Sequence, residues 1–178
     1  MAFEVVRGST SVDHREELER ALSDLVAVID REVALFRQLL ETLNRQHQAV
    51  LQKEEDPVLQ STAQVQEIVD AARRLDQHRV AKTAEVSSRL GLEMEQPTLS
   101  QIIPLVEGQY AERLRELREM LLSLTQRVQQ TNLRNQKLLQ RALQMVTKSM
   151  RLLTGQKGLY DDKGREQPIT TELFTTHM

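Results

Sequence analysis

Apolar residues return through the first third of the chain in steps of mostly three, four or seven: Leu18, Leu22, Leu25, Ile29, Phe36, Leu40, Leu43 and Val50. That spacing keeps them on one face of a helix. Asp13 with Glu16 three positions on forms a capping-box pair, which predicts a helix over 13–53. Such a helix is a rod of about 60 Å at ~1.5 Å per residue. Residues 1–12 contain Gly8-Ser-Thr-Ser11 and show no period, so they are expected to form a flexible leader.

Glu54-Glu-Asp56-Pro57 interrupts the pattern. Proline disfavours helical geometry in the residue before it and suits the first turn of a new helix, which points to a reversal capped by Asp56; a kinked continuation is the other reading. The second helix, expected over 57–90, carries a thinner stripe of Val65, Ile68, Ala72, Leu75, Val86 and Leu90, with Arg79 where an apolar residue is due. Gly91 is its stop, since glycine enters the left-handed conformation without steric cost. Thr98 and Gln101 repeat the capping-box pattern and predict a short helix over 98–103, with Leu99, Ile102 and Ile103 on it.

A third long helix is expected over 105–154, released at Gly108 and closed at Gly155. Leu114, Leu117, Leu121, Leu124, Val128, Leu138, Ala142, Met145 and Leu152 follow an alternation of three and four, with Thr131, Asn135 and Ser149 as polar entries. A seven-residue repeat of this kind predicts left-handed supercoiling against neighbouring helices. Residues 156–178, with Gly158, Gly164 and Pro168, read as an extended polar tail. The expected fold is all-α: three long antiparallel helices and one short connector form a coiled-coil-like hairpin or bundle over 13–155.

Beside the last turns of this seam runs a second apolar row of Leu139, Leu143, Val146, Met150 and Leu153. Two adjacent rows make a face wider than a two-helix seam requires. Either two helices of the same bundle cover it, or part of it is open to the amphipathic helix of a partner. Met145 and Met150 suit the second role, because thioether chains repack around different surfaces. The candidate partner-binding residues are therefore Leu138, Leu139, Ala142, Leu143, Met145, Val146, Met150 and Leu153, with Asn132 and Asn135 at their upstream end. A buried asparagine on a seam also fixes register, a structural role that competes with ligand contact for Asn135.

Charge adds one feature. The chain holds 24 basic and 26 acidic residues, yet between Glu119 and Asp161 there is no acid. Arg127, Arg134, Arg141 and Lys148 recur there every seven residues and form a basic edge. They could pair with acids of the first helix (Glu19, Asp24, Asp30, Glu32, Glu41) or with acidic flanks of a partner. A nucleic-acid partner is not expected, because the net charge is −2 and no aromatic residues interleave the basic ones to stack bases.

Catalytic patterns are missing. His14, His47, His78 and His177 lack metal-ligand spacing, and no phosphate-binding glycine loop or nucleophile elbow occurs. Neither enzymatic activity nor a cofactor is expected. Cysteine is absent, which suits a reducing cytoplasm. The start, Met1-Ala-Phe-Glu4, lacks the apolar core of a signal peptide, and no stretch approaches the ~20 apolar residues of a membrane helix. A cytoplasmic protein without membrane insertion is expected.

The order of elements resembles the FlgN family. The resemblance rests on the break at Glu55-Asp56-Pro57, the helix ending in Ser88-Arg-Leu-Gly91, and the connector Thr98-Leu-Ser-Gln-Ile-Ile103. It continues through Asn132-x-x-Asn135-x-x-Leu138-Leu139 to Leu159-Tyr160-Asp-Asp-Lys-Gly164. It implies a cytoplasmic chaperone of flagellar type III secretion, which binds hook-associated subunits of the FlgK and FlgL type and meets components of the export apparatus. It also implies substrate binding by the C-terminal helical region. The family pattern does not explain Gln167–Met178. The competing reading is a structural coiled-coil scaffold or tether that self-associates through the same face; for a chaperone, only weak self-association is expected.

Overall fold

The computed structural model describes residues 5–92 and 95–153, with side chains over 13–92 and 95–151. The expected tail, 156–178, and the first four residues of the expected leader lie outside the described residues. Four α-helices follow in order: α1 (Val5–Gln52), α2 (Glu55–Arg89), α3 (Leu99–Ile102) and α4 (Gly108–Leu153), with a 3₁₀ turn at Ile103–Leu105 between α3 and α4. No strand occurs among the described residues. The chain divides into two units, residues 1–136 and 137–178.

Helix α1 begins at Val5, which corrects the expected leader over 1–12 and the start at Asp13. Asp13 and Glu16 lie inside the helix. The segment holds no proline, and once a helix is nucleated each added residue gains a backbone bond, enough to carry it through Gly8.

The reversal after α1 is built by the backbone. Lys53 takes a left-handed φ of 59°, and the Glu54 N–H donates to the Ala49 carbonyl at 3.0 Å. Glu54, rather than the expected Asp56, is the N-cap of α2, so Asp56 and Pro57 fall in its first turn. A proline N–H would have no partner there in any case.

Cross-helix pairs fix the directions within the first unit. Lys82 meets Asp24 at 2.7 Å, Arg79 meets Glu32 at 3.0 Å, and the Gln46 amide donates to Thr62 at 2.9 Å. The partners ascend α1 as they descend α2, so the two are antiparallel. Along α4 they ascend together: Arg113 with Asp30 at 2.7 Å, then Asn135 with Leu43 at 2.7 Å. Helix α4 therefore starts parallel to α1 and antiparallel to α2.

Helix α2 ends in a complete Schellman motif. The Leu92 N–H reaches the Ser87 carbonyl and the Gly91 N–H the Ser88 carbonyl, both at 3.0 Å, with Gly91 at φ 72°. At the start of α3, Gln101 Oε1 accepts the Thr98 N–H at 2.9 Å, as the capping-box pattern predicts. This connector carries the chain back to start α4 and supplies Leu99, Ile102 and Ile103 to the core.

Leu22, Leu25 and Ile29 of α1, Val86 of α2 and Leu114 and Leu117 of α4 form the main buried cluster with that connector. A second, smaller cluster joins Leu39 and Leu43 to Ile68. The stripe of α2 is thin because small polar residues fill part of its seam. Ser61, Thr83 and Ser87 are buried, and the first two donate their hydroxyls to the carbonyls of Val58 and Arg79. A hydroxyl satisfied by its own helix can face a core at little cost.

Candidate partner-binding face

Arg79, the apparent misfit in the stripe of α2, is explained by its partner. Its Nε donates to Glu32 of α1, a carboxylate that is only 4% exposed, and its Nη2 pairs with Asp76. Burial pushes the Glu32 carboxyl above the ordinary carboxylate range, and the Arg79 charge only partly opposes that shift. The pair is a packing feature of the first unit.

Asn135 is likewise a packing residue. It is 1% exposed and donates Nδ2 to the Leu43 carbonyl at 2.7 Å and to Gln46 Oε1 at 3.1 Å. Its Oδ1 lies 3.0 Å from His47 Nδ1, so that ring nitrogen must carry the proton. Gln46 passes the network on to Thr62 of α2. One asparagine thus links all three long helices through a polar layer that is buried at Asn135 and Gln46 and reaches the surface at Thr62. Its assignment to the partner face is corrected: every polar atom it has is spent inside its own bundle, in the register role that competed with ligand contact. Asn132, three residues earlier, is exposed.

Arg127 and Arg134 in the first unit and Arg141 and Lys148 in the second are all exposed, and among the described residues none of them forms an ion pair. For Arg127 and Arg134, pairing with acids of α1 is thereby corrected. Four of those acids meet other bases: Glu19 pairs with Arg15, Asp24 with Lys82, Asp30 with Arg113 and Glu32 with Arg79.

In the second unit the apolar rows are uncovered to different degrees. Leu138, Leu139 and Ala142 are half-buried. Leu143 and Met145 are 68% exposed, Met150 59% and Val146 56%. These four are large apolar side chains on under three turns of one helix, a density that monomers seldom leave in water without a use. The side chain of Leu153 lies outside the described residues. Sequence spacing places it on the row of Leu139, Leu143, Val146 and Met150.

Sequence reading missed the partners that hold this arrangement in place, Gln46, His47 and Thr62, because polar residues at helical spacing look the same on a solvated face as in a buried layer. Among the described residues no helix is long and apolar enough to cross a membrane, and no cluster of acidic or histidine side chains could hold a metal ion.

The fold and this face define an all-α helical bundle with an apolar helical surface in its C-terminal part. The family model described as FlgN protein matches residues 21–168, most of the chain, and the chain belongs to the FlgN family. That family is one of flagellar export chaperones rather than enzymes, which gives the chain a chaperone role in general terms. Neither the curated proteins nor the solved structures compared with the chain give a match.

Proposed function

We propose that this chain is a cytoplasmic export chaperone that binds amphipathic terminal segments of hook-associated proteins of the FlgK and FlgL type, prevents their premature assembly and delivers them to the flagellar type III secretion apparatus. The observation that carries the reading is the exposure of Leu143, Met145, Val146 and Met150 in a member of the FlgN family. Leu138, Leu139, Ala142 and Leu153 extend the same face, and Arg141 and Lys148 border it.

The mechanism follows from the physics of unfolded amphipathic ends. Free segments of this kind pair with one another, and a helix offering an apolar face covers their stripe and defers that pairing. Ordering the segment on binding opposes the contact energy, which keeps affinity moderate and permits release at the export apparatus.

Sedimentation velocity tests the reading. The purified chain is expected to remain small alone and to form a defined complex when the C-terminal segment of a hook-associated protein is added. Stable oligomers that the segment leaves unchanged would instead establish the scaffold reading.

A further inference from the structure

The charges bordering the apolar face restrict what can occupy it. At about 100° per residue, Arg141 and Lys148 fall just outside the edge formed by Leu138 and Met145, and Lys137 lies next to them. Beyond the opposite edge, formed by Leu143, stand Thr147 and Gln140, both uncharged, with the exposed Arg151 next to them. The Thr147 hydroxyl turns back onto its own helix, donating to the Leu143 carbonyl at 2.9 Å. The face therefore has one border with three bases and an opposite border with a single base near its end. Lys137, Arg141 and Lys148 are exposed and form no ion pair among the described residues.

Resting on the chaperone reading, we infer that the occupant is an amphipathic helix carrying acidic side chains along one edge of its apolar stripe, spaced seven residues apart. Arg141 and Lys148 are separated by two turns, a rise of about 10 Å, which acids at i and i+7 reproduce. Acids seven apart on the opposite edge would face Gln140 and Thr147, or Gln144 and Arg151, and so meet at most one base. The more heavily charged border thus favours one direction for the segment as well as its composition.

Other occupants fit less well. In a symmetric antiparallel pairing, a second copy of this face sets basic edge against basic edge. In a parallel one it sets the basic edge against the edge of Gln140, Thr147 and Arg151, so neither direction supplies an acid. The chain's own segment after residue 155 does hold acids, Asp161, Asp162, Glu166 and Glu172, but none of them are seven apart, and Pro168 interrupts any helix containing the last two.

The test uses two labelled synthetic peptides with one apolar pattern, bearing either Glu or Lys at i and i+7 on the same edge, titrated with the full chain by fluorescence anisotropy. The Glu peptide is expected to bind about tenfold tighter at ~50 mM salt, with the preference shrinking at ~300 mM. The R141E/K148E double variant is expected to reverse the preference. Equal binding of both peptides, an unchanged preference in the double variant, or displacement of the Glu peptide by a 156–178 peptide overturns the inference. So does a chain dimer that neither peptide dissociates. The chaperone reading fails separately: if L143D/V146D still captures a hook-associated segment at full strength, the face itself is wrong. If both peptides bind equally but L143D/V146D loses both, only the charge assignment falls.

Discussion

The amide of Asn135 donates to the backbone carbonyl of Leu43 across 2.7 Å, from the middle of α4 to the last quarter of α1. This contact, with those to Gln46 and His47, makes Asn135 the point at which α1 and α4 are held in register. A sliding helix would strand a buried amide, and that cost specifies one alignment among the several an apolar seam would accept.

Asn135→Ala is therefore expected to destabilise the bundle by about 2 kcal/mol, the cost of leaving the buried Leu43 carbonyl and Gln46 short of a partner. Urea unfolding followed by circular dichroism measures it. An effect within a few tenths of a kcal/mol would show that the layer is solvated and sets no register.

Asn135→Asp separates hydrogen bonding from size. An ionised carboxylate cannot donate to the Leu43 carbonyl, whereas a protonated one can. Its pKa in the folded state is expected to lie above the unfolded value, so the variant gains stability relative to wild type as pH falls and loses it as pH rises through the folded pKa. A stability difference from wild type that does not vary with pH would contradict this.

Glu32 and Arg79 are expected to behave as a buried pair whose removal matters less than its breaking. Arg79→Ala leaves a carboxylate buried without its main cation and is expected to cost about 3 kcal/mol; the double variant E32L/R79L is expected to stay within about 1 kcal/mol of wild type or exceed it. Additive single-variant losses in a double-mutant cycle would refute the coupling.

The raised pKa of Glu32 also has a signed consequence. Its folded value lies above the ordinary carboxylate value mainly because of burial, so its contribution is fully present below the unfolded pKa and is lost as pH rises through the folded one. Glu85 runs the other way. Hydrogen bonding to Lys82 leads the lowering of its pKa, so its contribution is present above the unfolded value and lost as pH falls through the folded one. Replacing Glu32 by Gln is expected to remove the first trend and leave the second. The stability advantage of wild type over E32Q should thus shrink from about pH 4 to pH 7, as chemical denaturation along that range would show.

Gly91 offers a test free of packing. A Cβ there would meet nothing within 4 Å, yet φ is 72°. Gly91→Ala is expected to cost about 1 kcal/mol through backbone conformation alone. A neutral result would mean that the Schellman turn opens without loss.

Much of this architecture was legible in the pattern of apolar residues. Leu114, Leu117 and Leu124 repeat at helical spacing and are buried as that spacing requires, and Gly91 marks the end of α2 within a residue. Three things were hidden, each for a physical reason. Arg79 looked like a flaw because its partner, Glu32, is distant in sequence and near only after the hairpin closes. Ser61 and Thr83 read as polar because a hydroxyl's satisfaction by its own helix leaves no periodic trace. Asn135 lay on the same seam as the exposed apolar residues, and periodicity cannot say where a continuous stripe stops facing its own chain. In the candidate face the doubled stripe was visible, and the exposure of Leu143, Met145 and Val146 adds what spacing could not supply.

The central claim is that the apolar rows of α4 beyond Lys137 hold a client rather than the bundle. Calorimetric titration of the L143D/V146D variant with the C-terminal segment of a hook-associated protein, alongside its thermal melt, tests it most directly. Loss of binding by at least tenfold with a melting temperature within about 2 °C of wild type is the expected result. Unimpaired binding, or a bundle that unfolds when the two charges are introduced, would contradict it.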